Sequence, residues 1–129
     1  MTVGLLIITH GQVGKALVEA ATSVLGMCPL QTYILSIPQD CKPETQAEKA
    51  RRSIDQLDDG AGVLVLTDMY GATPSNIAST LQGERIAVVS GLNLPMLVRV
   101  LNYPGLSLEE LVEKACSGGR DGVLLCSSR

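Results

Sequence analysis

The sequence predicts an α/β protein with a doubly wound, mostly parallel sheet and helices on both of its faces. Short apolar runs alternate along the chain with segments whose apolar residues recur at helical spacing. The resulting order, β-α-β-α-β-α-β-α-α-β, is typical of parallel sheets with crossover helices. The first and third runs are almost wholly aliphatic, as expected of strands that are covered on both faces.

The first half of the chain predicts two strands, each followed by a helix. Residues 3–9 form the first strand, and apolar spacing over Val13–Leu25 predicts a helix with Gly26 as its C-cap. Thr32–Ile37 forms the second strand, and a proline then opens a second helix, Pro43–Leu57. The positions of this helix predicted to face inward are Ala47, Ala50, Ile54 and Leu57.

A third and a fourth strand follow, and each precedes a short helix. Val63–Thr67 is the most apolar strand of the chain. Thr73 is expected to be the N-cap of a helix over residues 73–81, with a proline as the first helical residue. Residues 85–89 form the fourth strand, and residues 95–101 form the next helix.

The end of the chain predicts one more helix and a short strand. Ser107 and Glu110 have the spacing of a capping box, so a helix is expected to begin directly after Ser107. Gly118 and Gly119 are expected to end this helix. Residues 122–126 are then expected to form the last strand.

Length and composition fit one domain that spans residues 1–129. The chain is 46% hydrophobic and 18% charged with a net charge of −3, which excludes extensive disorder and supplies enough apolar side chains for a core. It has three Tyr, no Phe and no Trp, and its longest basic run is Arg51-Arg52. We therefore expect no nucleic-acid partner, because base stacking and phosphate-backbone binding need more rings and more cations.

Targeting and metal-binding signals are weak in this sequence. No apolar stretch approaches the ~20 residues that cross a bilayer, and the N-terminus lacks the basic region of a signal peptide. We therefore expect a cytoplasmic protein without a membrane segment. Because the four cysteines include no Cys-x-x-Cys pair and the chain has one histidine, we expect no metal site and no metal cofactor. The even number of cysteines allows disulfides, but the missing export signal and the adequate core favour reduced thiols.

The chemistry is expected at the carboxyl ends of the strands, where open parallel sheets bind their ligands. The first strand ends at His10 and Gly11. Histidine is a nucleophile toward phosphorus, and the phosphorylated ring passes the group on. The position at a strand end, followed by a glycine, favours this role for His10 over that of a polar residue that caps a turn.

Asp68 follows the apolar third strand, where an aspartate has little structural reason to lie. Its carboxylate would accept the ring N–H of His10 and fix the tautomer, or it would cap its own turn. We favour the first role because the two strand ends are expected to be neighbours.

Further candidates for binding a phosphoryl group come from the loops after the third and fourth strands. Gly71, Ala72 and Thr73 precede a helix start, whose unpaired amides and adjacent hydroxyl suit a phosphoryl group. Ser90 would reach the same group from the fourth strand, or would only cap the following turn. The chain has no Walker lysine motif and no Gly-x-Gly-x-x-Gly after the first strand, so nucleotide sites lack support.

Three segments at this edge resemble the motifs of one family, the enzyme IIA domains of the mannose/fructose/sorbose class of the phosphotransferase system. They are residues 6–11 (LIITHG), residues 67–76 (TDMYGATPSN) and residues 90–97 (SGLNLPML). The motifs lie in the order in which the family has them, and the pattern of elements extends the resemblance to the whole chain.

The resemblance implies a phosphoryl carrier in which His10 accepts the group from phospho-HPr and donates it to an enzyme IIB protein. It also implies that Asp68 hydrogen-bonds the His10 ring and that Gly11 and residues 71–73 hold the phosphoryl oxygens. Neither metal nor nucleotide is implied, because the donor is already an activated phosphohistidine. A homodimer is implied as well, with residues 122–126 exchanged antiparallel onto the partner's sheet.

The sequence departs from the family pattern at two positions of the second motif. Ala72 stands where the family commonly has glycine, which would strain a loop that needs a positive φ there. Thr73 replaces a serine and keeps its hydroxyl. The partner-contact surface is expected to include Met69, Tyr70 and Leu92, and the IIB acceptor is expected to be a separate protein because the chain ends at residue 129.

Three other functions remain open at this point. A regulatory phosphoprotein of the same system would share every motif and differ only in what reads its phosphorylation, so neighbouring genes for IIB, IIC and IID components would separate the two. The phosphoryl-donor subunit of dihydroxyacetone kinase shares the fold, but the second and third motifs favour the mannose class. A chelatase-like metal enzyme also has His-Gly after its first strand, yet it needs a second basic or metal-ligating residue, and this chain has no other histidine.

Overall fold

The computed structural model describes residues 1–127 and contains one four-stranded, all-parallel sheet with the strand order β2-β1-β3-β4. The strands are β1 (Gly4–His10), β2 (Thr32–Ile37), β3 (Val63–Thr67) and β4 (Ile86–Ser90). The helices are α1 (Val13–Leu25), α2 (Pro43–Leu57), α3 (Thr73–Ser79), α4 (Leu94–Leu101) and α5 (Leu108–Asp121). The predicted α/β class is therefore confirmed, and the strand order reverses between β1 and β3.

The core lies on both faces of the sheet, which explains the continuous apolar runs of β1 and β3. Leu5 and Ile7 of β1 point to the face that α1, α4 and α5 cover. Leu6 and Ile8 point to the opposite face, where α2 and α3 pack. Each fully buried side chain of this size stabilises the fold by about 1.5–3 kcal/mol, and the inward-facing residues predicted for α2 are all buried.

Some helix termini follow the sequence signals and others do not. Gly26 adopts a left-handed conformation (φ 81°) and caps α1, as predicted. Ser107 and Glu110 form the predicted capping box, with Ser107 Oγ accepting the Glu110 N–H at 3.3 Å and Glu110 Oε1 accepting the Ser107 N–H at 3.0 Å. The prediction for α3 is wrong by one residue, because Ala72 is the N-cap and Thr73 already belongs to the helix.

Gly118 and Gly119 do not end α5, contrary to the sequence prediction, because the helix continues to Asp121. They lie instead where α4 packs against α5. A Cβ at Gly118 would lie 2.8 Å from Arg99 Cβ, and one at Gly119 would lie 2.9 Å from Met96 Cε. Glycine is therefore used here to bring two helices close together rather than to terminate one.

Asn93 joins the two helices at this contact. Its Oδ1 accepts the Met96 N–H at 2.9 Å and so caps the N-terminus of α4. Its Nδ2 donates to Gly119 O at 3.1 Å, which satisfies a carbonyl in the last turn of α5. One side chain thus closes the ends of two helices.

The predicted last strand, residues 122–126, is wrong for the single chain. Gly122 follows α5, and residues 123–126 form no strand in the part of the chain that the structure describes. Val123, Leu124 and Leu125 are 75%, 78% and 93% exposed. Exchange of this segment between two chains stays a prediction.

At the opposite end of the sheet, Asp58 ties the turn after α2 to Arg85. The Asp58 carboxylate accepts the N–H groups of Gly60 (2.9 Å) and Gly62 (3.1 Å) and the Nε–H of Arg85 (3.1 Å). The Gly60 amide and the Arg85 guanidinium hold the pKa of Asp58 below its ordinary value, since both favour the charged form.

No helix within residues 1–127 has the length and hydropathy needed to cross a membrane.

Candidate functional site

The structure brings His10 and Asp68 together at the carboxyl end of the sheet. β1 and β3 are adjacent, with Ile8 paired to Thr67, so the residues that follow these positions meet at the rim. Asp68 Oδ2 lies 2.9 Å from His10 Nδ1 and also accepts the backbone N–H of His10 at 3.1 Å. The His10 side chain is 48% exposed, whereas that of Asp68 is 13% exposed.

This contact fixes which ring nitrogen of His10 is available for chemistry. An ionised carboxylate only accepts hydrogen bonds, so the proton lies on Nδ1, and the Nδ1–H donates a hydrogen bond to Asp68. Nε2 then keeps its lone pair, on a side chain that is half-exposed. The arrangement suits a nucleophile whose second nitrogen is held by a carboxylate.

Thr9 anchors the helix that follows His10, and the sequence reasoning missed this residue. Its buried hydroxyl accepts the N–H of Gly14 at 2.7 Å. A Cβ at Gly14 would lie 2.7 Å from Ile7 Cγ2, so α1 approaches β1 closely at this point. Gly11 makes the turn between them with φ 41°, and its N–H bonds to Ile37 O at 3.0 Å.

An open pocket of about 520 Å³ lies beside the His10 ring. His10, Gly11 and Thr73 line it, so three of the candidate residues share one space. The remaining wall comes from the end of β2 and the loop before α2, which no motif had indicated. These residues are Ile37, Pro38, Gln39 and Cys41.

The loop that leads into α3 is relaxed at Ala72. Gly71 has φ 84°, which favours glycine, but Ala72 has φ −87° and ψ 172°, an extended conformation open to any residue. The strain expected from alanine at this position is therefore absent. The Asn76 side-chain amide donates to Gly71 O at 3.4 Å and supports the turn.

Ser90 lies apart from the pocket that holds His10. Its hydroxyl is 2.8 Å from Thr67 Oγ1 and 3.2 Å from Ser75 Oγ. It lines a different pocket of about 310 Å³, together with Gly91 and Val123 among others. The structure thus brings His10, Asp68 and Thr73 to one site, and Ser90 does not line that site.

Exposed apolar residues beside the site are fewer than the sequence indicated. Met69 and Tyr70 are 57% and 85% exposed. Leu92 is wrongly predicted to be a surface residue, because it is 7% exposed and packs in the core beside α4. Its amide bonds to Thr67 O at 2.9 Å, which folds the chain inward after β4.

Within residues 1–127, no three His, Cys, Asp or Glu side chains are grouped so as to hold a metal ion.

The family model for the PTS system fructose IIA component, EIIA-man, matches residues 4–116. A mannose-specific EIIAB component of the phosphotransferase system from Escherichia coli K12 is 36% identical over 127 residues, which cover 95% of this chain and 39% of that protein. The chain thus spans well under half the length of this curated relative. A fructose-specific EIIA component from Bacillus subtilis is 25% identical, with 97% of this chain and 87% of that protein covered.

Solved structures of the same kind share the fold. The mannose/sorbose-specific IIA subunit from Enterococcus faecalis superposes with a TM-score of 0.89 at 23% identity, and the superposition covers 100% of this chain and 98% of that one.

Among sequence relatives, the transcriptional regulatory protein LevR from Bacillus subtilis is also similar, at 30% identity over 118 residues, which span 86% of this chain and 12% of LevR. The chain belongs to the EIIA-man family, the IIA components of the mannose and fructose phosphotransferase systems.

Proposed function

We propose that this chain is a phosphoryl carrier in which His10 Nε2 accepts a phosphoryl group from phospho-HPr and passes it to an enzyme IIB protein for sugar uptake. The observation that carries the proposal is the 2.9 Å contact between His10 Nδ1 and Asp68 Oδ2, which leaves Nε2 as the free nucleophile on a half-exposed ring. Membership of the EIIA-man family supports a donor and an acceptor that belong to the phosphotransferase system.

The transfer step balances without a metal or a nucleotide. The Nε2 lone pair of His10 attacks phosphorus, the P–N bond of the donor phosphohistidine breaks, and the electron pair returns to the donor ring. The Nδ1 proton stays on His10, and Asp68 stabilises the positive charge that develops on the ring. The same events in reverse order load the IIB acceptor, so the role belongs to the cytoplasm where such partners act.

We assign the phosphoryl oxygens to the pocket beside His10. Thr73 supports this because it lines that pocket and its hydroxyl has no hydrogen-bond partner within residues 1–127. Gly71 supplies an amide in the adjoining turn, whereas the Ala72 N–H bonds to Met69 O at 3.4 Å and would have to turn to the phosphoryl group. Gly11 supplies space, because its own N–H is already bonded to Ile37 O.

The proposed docking surface for both partners consists of Met69 and Tyr70, which lie exposed next to Asp68. Large apolar side chains of this kind anchor protein interfaces. Tyr70→Ala should raise the KM for phospho-HPr. Tyr103→Ala is the matched control, since Tyr103 is 43% exposed, contacts Lys114 and does not line the pocket that holds His10.

We also propose that the chain is a homodimer joined through residues 122–126. Two features support this: β4 lies at an edge of the sheet, and Val123, Leu124 and Leu125 are left exposed. An uncovered edge strand and a short apolar segment are complementary surfaces. Sedimentation equilibrium of the full chain and of a variant that ends at Gly122 should give a dimer and a monomer, and two equal masses would refute the exchange.

The decisive experiment for the proposed function is phosphoryl loading. Wild type and His10→Ala would be incubated with phosphoenolpyruvate, enzyme I and HPr, and their intact masses followed. We expect one acid-labile phosphoryl group per wild-type chain and none on the variant. An unmodified wild type in the presence of active donors would refute the carrier role.

The similarity to LevR favours one second candidate, a regulatory phosphoprotein that is loaded by HPr but transports no sugar. Loading alone does not separate the two functions. A chase of the phosphorylated chain with purified IIB proteins from the same source does, because only a transport component loses its phosphoryl group to one of them.

A further inference from the structure

We infer that Ser90 is a positioning residue that sets the place of Thr73 relative to His10, acting through Ser75. The inference rests on the proposed carrier function of His10. Ser90 ends β4, which is separated from β1 by β3. At ordinary strand spacing this places it roughly 10 Å from the strand of His10, too far to touch the same phosphoryl group.

The half-buried Ser90 hydroxyl is the centre of a chain of three hydroxyls, and the other two are buried. It lies 2.8 Å from Thr67 Oγ1 and 3.2 Å from Ser75 Oγ. Thr67 and Ser75 are 0% and 2% exposed, and their hydroxyl oxygens have no hydrogen-bond partner besides Ser90 within residues 1–127. Because a buried hydroxyl without a hydrogen bond is costly, the three side chains hold each other in place.

This chain of hydroxyls connects the end of β3, next to His10, with the start of α3, where Thr73 lies. Asp68 holds the His10 ring. Thr67, the residue before it, begins the hydroxyl chain that ends at Ser75 in the first turn of α3. Thr73 lies in the same turn, so its place relative to His10 is set from one point of the sheet.

The backbone after Ser90 keeps its hydroxyl turned toward Ser75. Thr67 O accepts the N–H groups of both Gly91 (3.0 Å) and Leu92 (2.9 Å), so the chain folds back over the end of β3. Gly91 makes this bend with φ 97°. The orientation of Ser90 therefore depends on β3 and not on the loop that binds the phosphoryl group.

Ser90→Ala removes both contacts of the chain and leaves Thr73 free to shift. We expect the kcat of phosphoryl uptake to fall by about 10- to 100-fold, as small misplacements of a binding group do. The KM for phospho-HPr should stay the same, because Met69 and Tyr70 are unaltered. Ser90→Thr should restore most of the rate, since it keeps the hydroxyl and the pocket of about 310 Å³ that Ser90 lines has room for a methyl group.

Two further variants separate positioning from general destabilisation. Ser75→Ala breaks the last link alone and should reproduce the effect of Ser90→Ala. Ser79→Ala is the matched control on the same helix, because among the described residues its hydroxyl bonds only to Ser75 O, at 2.9 Å, and it should behave as wild type. The final phosphoryl content of one per chain, measured by intact mass, excludes an unfolded fraction as the cause of a lower kcat.

Backbone NMR of the unphosphorylated proteins gives a readout that is independent of transfer. The amide resonance of Thr73 should move in Ser90→Ala and Ser75→Ala and stay in place in Ser79→Ala and Ser90→Thr. A wild type that takes no phosphoryl group refutes the proposed function, while the NMR comparison still tests the inference. An unmoved Thr73 resonance, or a wild-type kcat in both alanine variants, overturns the inference.

Discussion

One carboxylate oxygen of Asp68 holds both the backbone and the ring of His10. Oδ2 accepts the His10 N–H at 3.1 Å and lies 2.9 Å from Nδ1. The end of β1 and the rotation of the imidazole are therefore fixed by the same atom. The other oxygen, Oδ1, is buried and has no hydrogen-bond partner within residues 1–127. Burying this oxygen costs free energy, which the two contacts between Oδ2 and His10 partly offset.

Asp68→Ala should release the His10 ring and lower the rate of phosphoryl uptake by about 10- to 100-fold, the usual effect of losing the partner that orients a functional imidazole. Long-range proton–nitrogen NMR spectra should show the proton leaving Nδ1 for Nε2 in part of the molecules. Asp55→Ala on the solvated face of α2 is the control. An unchanged tautomer in Asp68→Ala would mean that Asp68 does not orient the ring.

Glycine is required at position 71 and not at position 72. Gly71→Ala places a side chain at φ 84° and should cost about 1–2 kcal/mol of stability and slow transfer. Ala72→Gly should leave the transfer rate unchanged and cost only about 0.5–1 kcal/mol, because Ala72 is in an extended conformation and glycine adds freedom to the unfolded chain. Urea unfolding and rate measurements on both variants test this, and a faster Ala72→Gly variant would contradict it.

The two hydrogen bonds of Asn93 should be separable by substitution. Asn93→Ser keeps an oxygen that caps α4 but is too short to reach Gly119, so it should lose about 0.5–1.5 kcal/mol. Asn93→Ala loses the cap as well and should cost about 1 kcal/mol more. Free energies of unfolding in urea measure both steps, and equal values for the two variants would show that the cap contributes nothing.

Gly122 should not tolerate a methyl group, because a Cβ there would overlap Cβ and Cγ of Pro95. Neither atom belongs to a flexible side-chain end, so Gly122→Ala should cost about 1–3 kcal/mol. Gly105→Ala is the matched control, since no atom lies within 4 Å of a Cβ at that position. Thermal unfolding of the two variants compares them, and equal midpoints would argue against the close packing of α4 on α5.

Asp58 should make stability depend on pH at the acidic end. Its pKa is lowered in the folded state, so its contribution is fully present above the unfolded pKa of about 4 and is lost as the pH falls through the folded value. Asp58→Asn should lower the free energy of unfolding by about 1–2 kcal/mol near neutral pH. The gap between wild type and variant should shrink toward about pH 3; a gap that stays constant would contradict the assignment.

Elements with a strong periodic pattern were predictable from the sequence. Val63–Thr67 is a central buried strand because five aliphatic or β-branched residues in a row fit no other place in the fold. The contact between His10 and Asp68 was also predictable, since both residues follow apolar strands and parallel strands end at one edge. Local pattern and global topology agree in these cases.

The failures arose where a residue type has two physical uses. Gly118 and Gly119 have the sequence signal of a helix end, but only the position of Arg99 and Met96 on α4 reveals that they permit close helix packing. Leu92 follows an exposed strand end, yet its amide bonds to Thr67 O and draws it into the core. Both outcomes depend on contacts between segments distant in sequence, which no local pattern encodes.

The contact between His10 and Asp68 spans 58 positions of the chain, which has a consequence for biosynthesis. A nascent polypeptide that has released β1, α1, β2 and α2 from the ribosome still lacks the carboxylate that aligns the imidazole. The ring remains free to rotate until β3 inserts beside β1, so no early fragment possesses an ordered site. A His10 ring oriented by Asp68 therefore indicates that more than half of the protein has already folded.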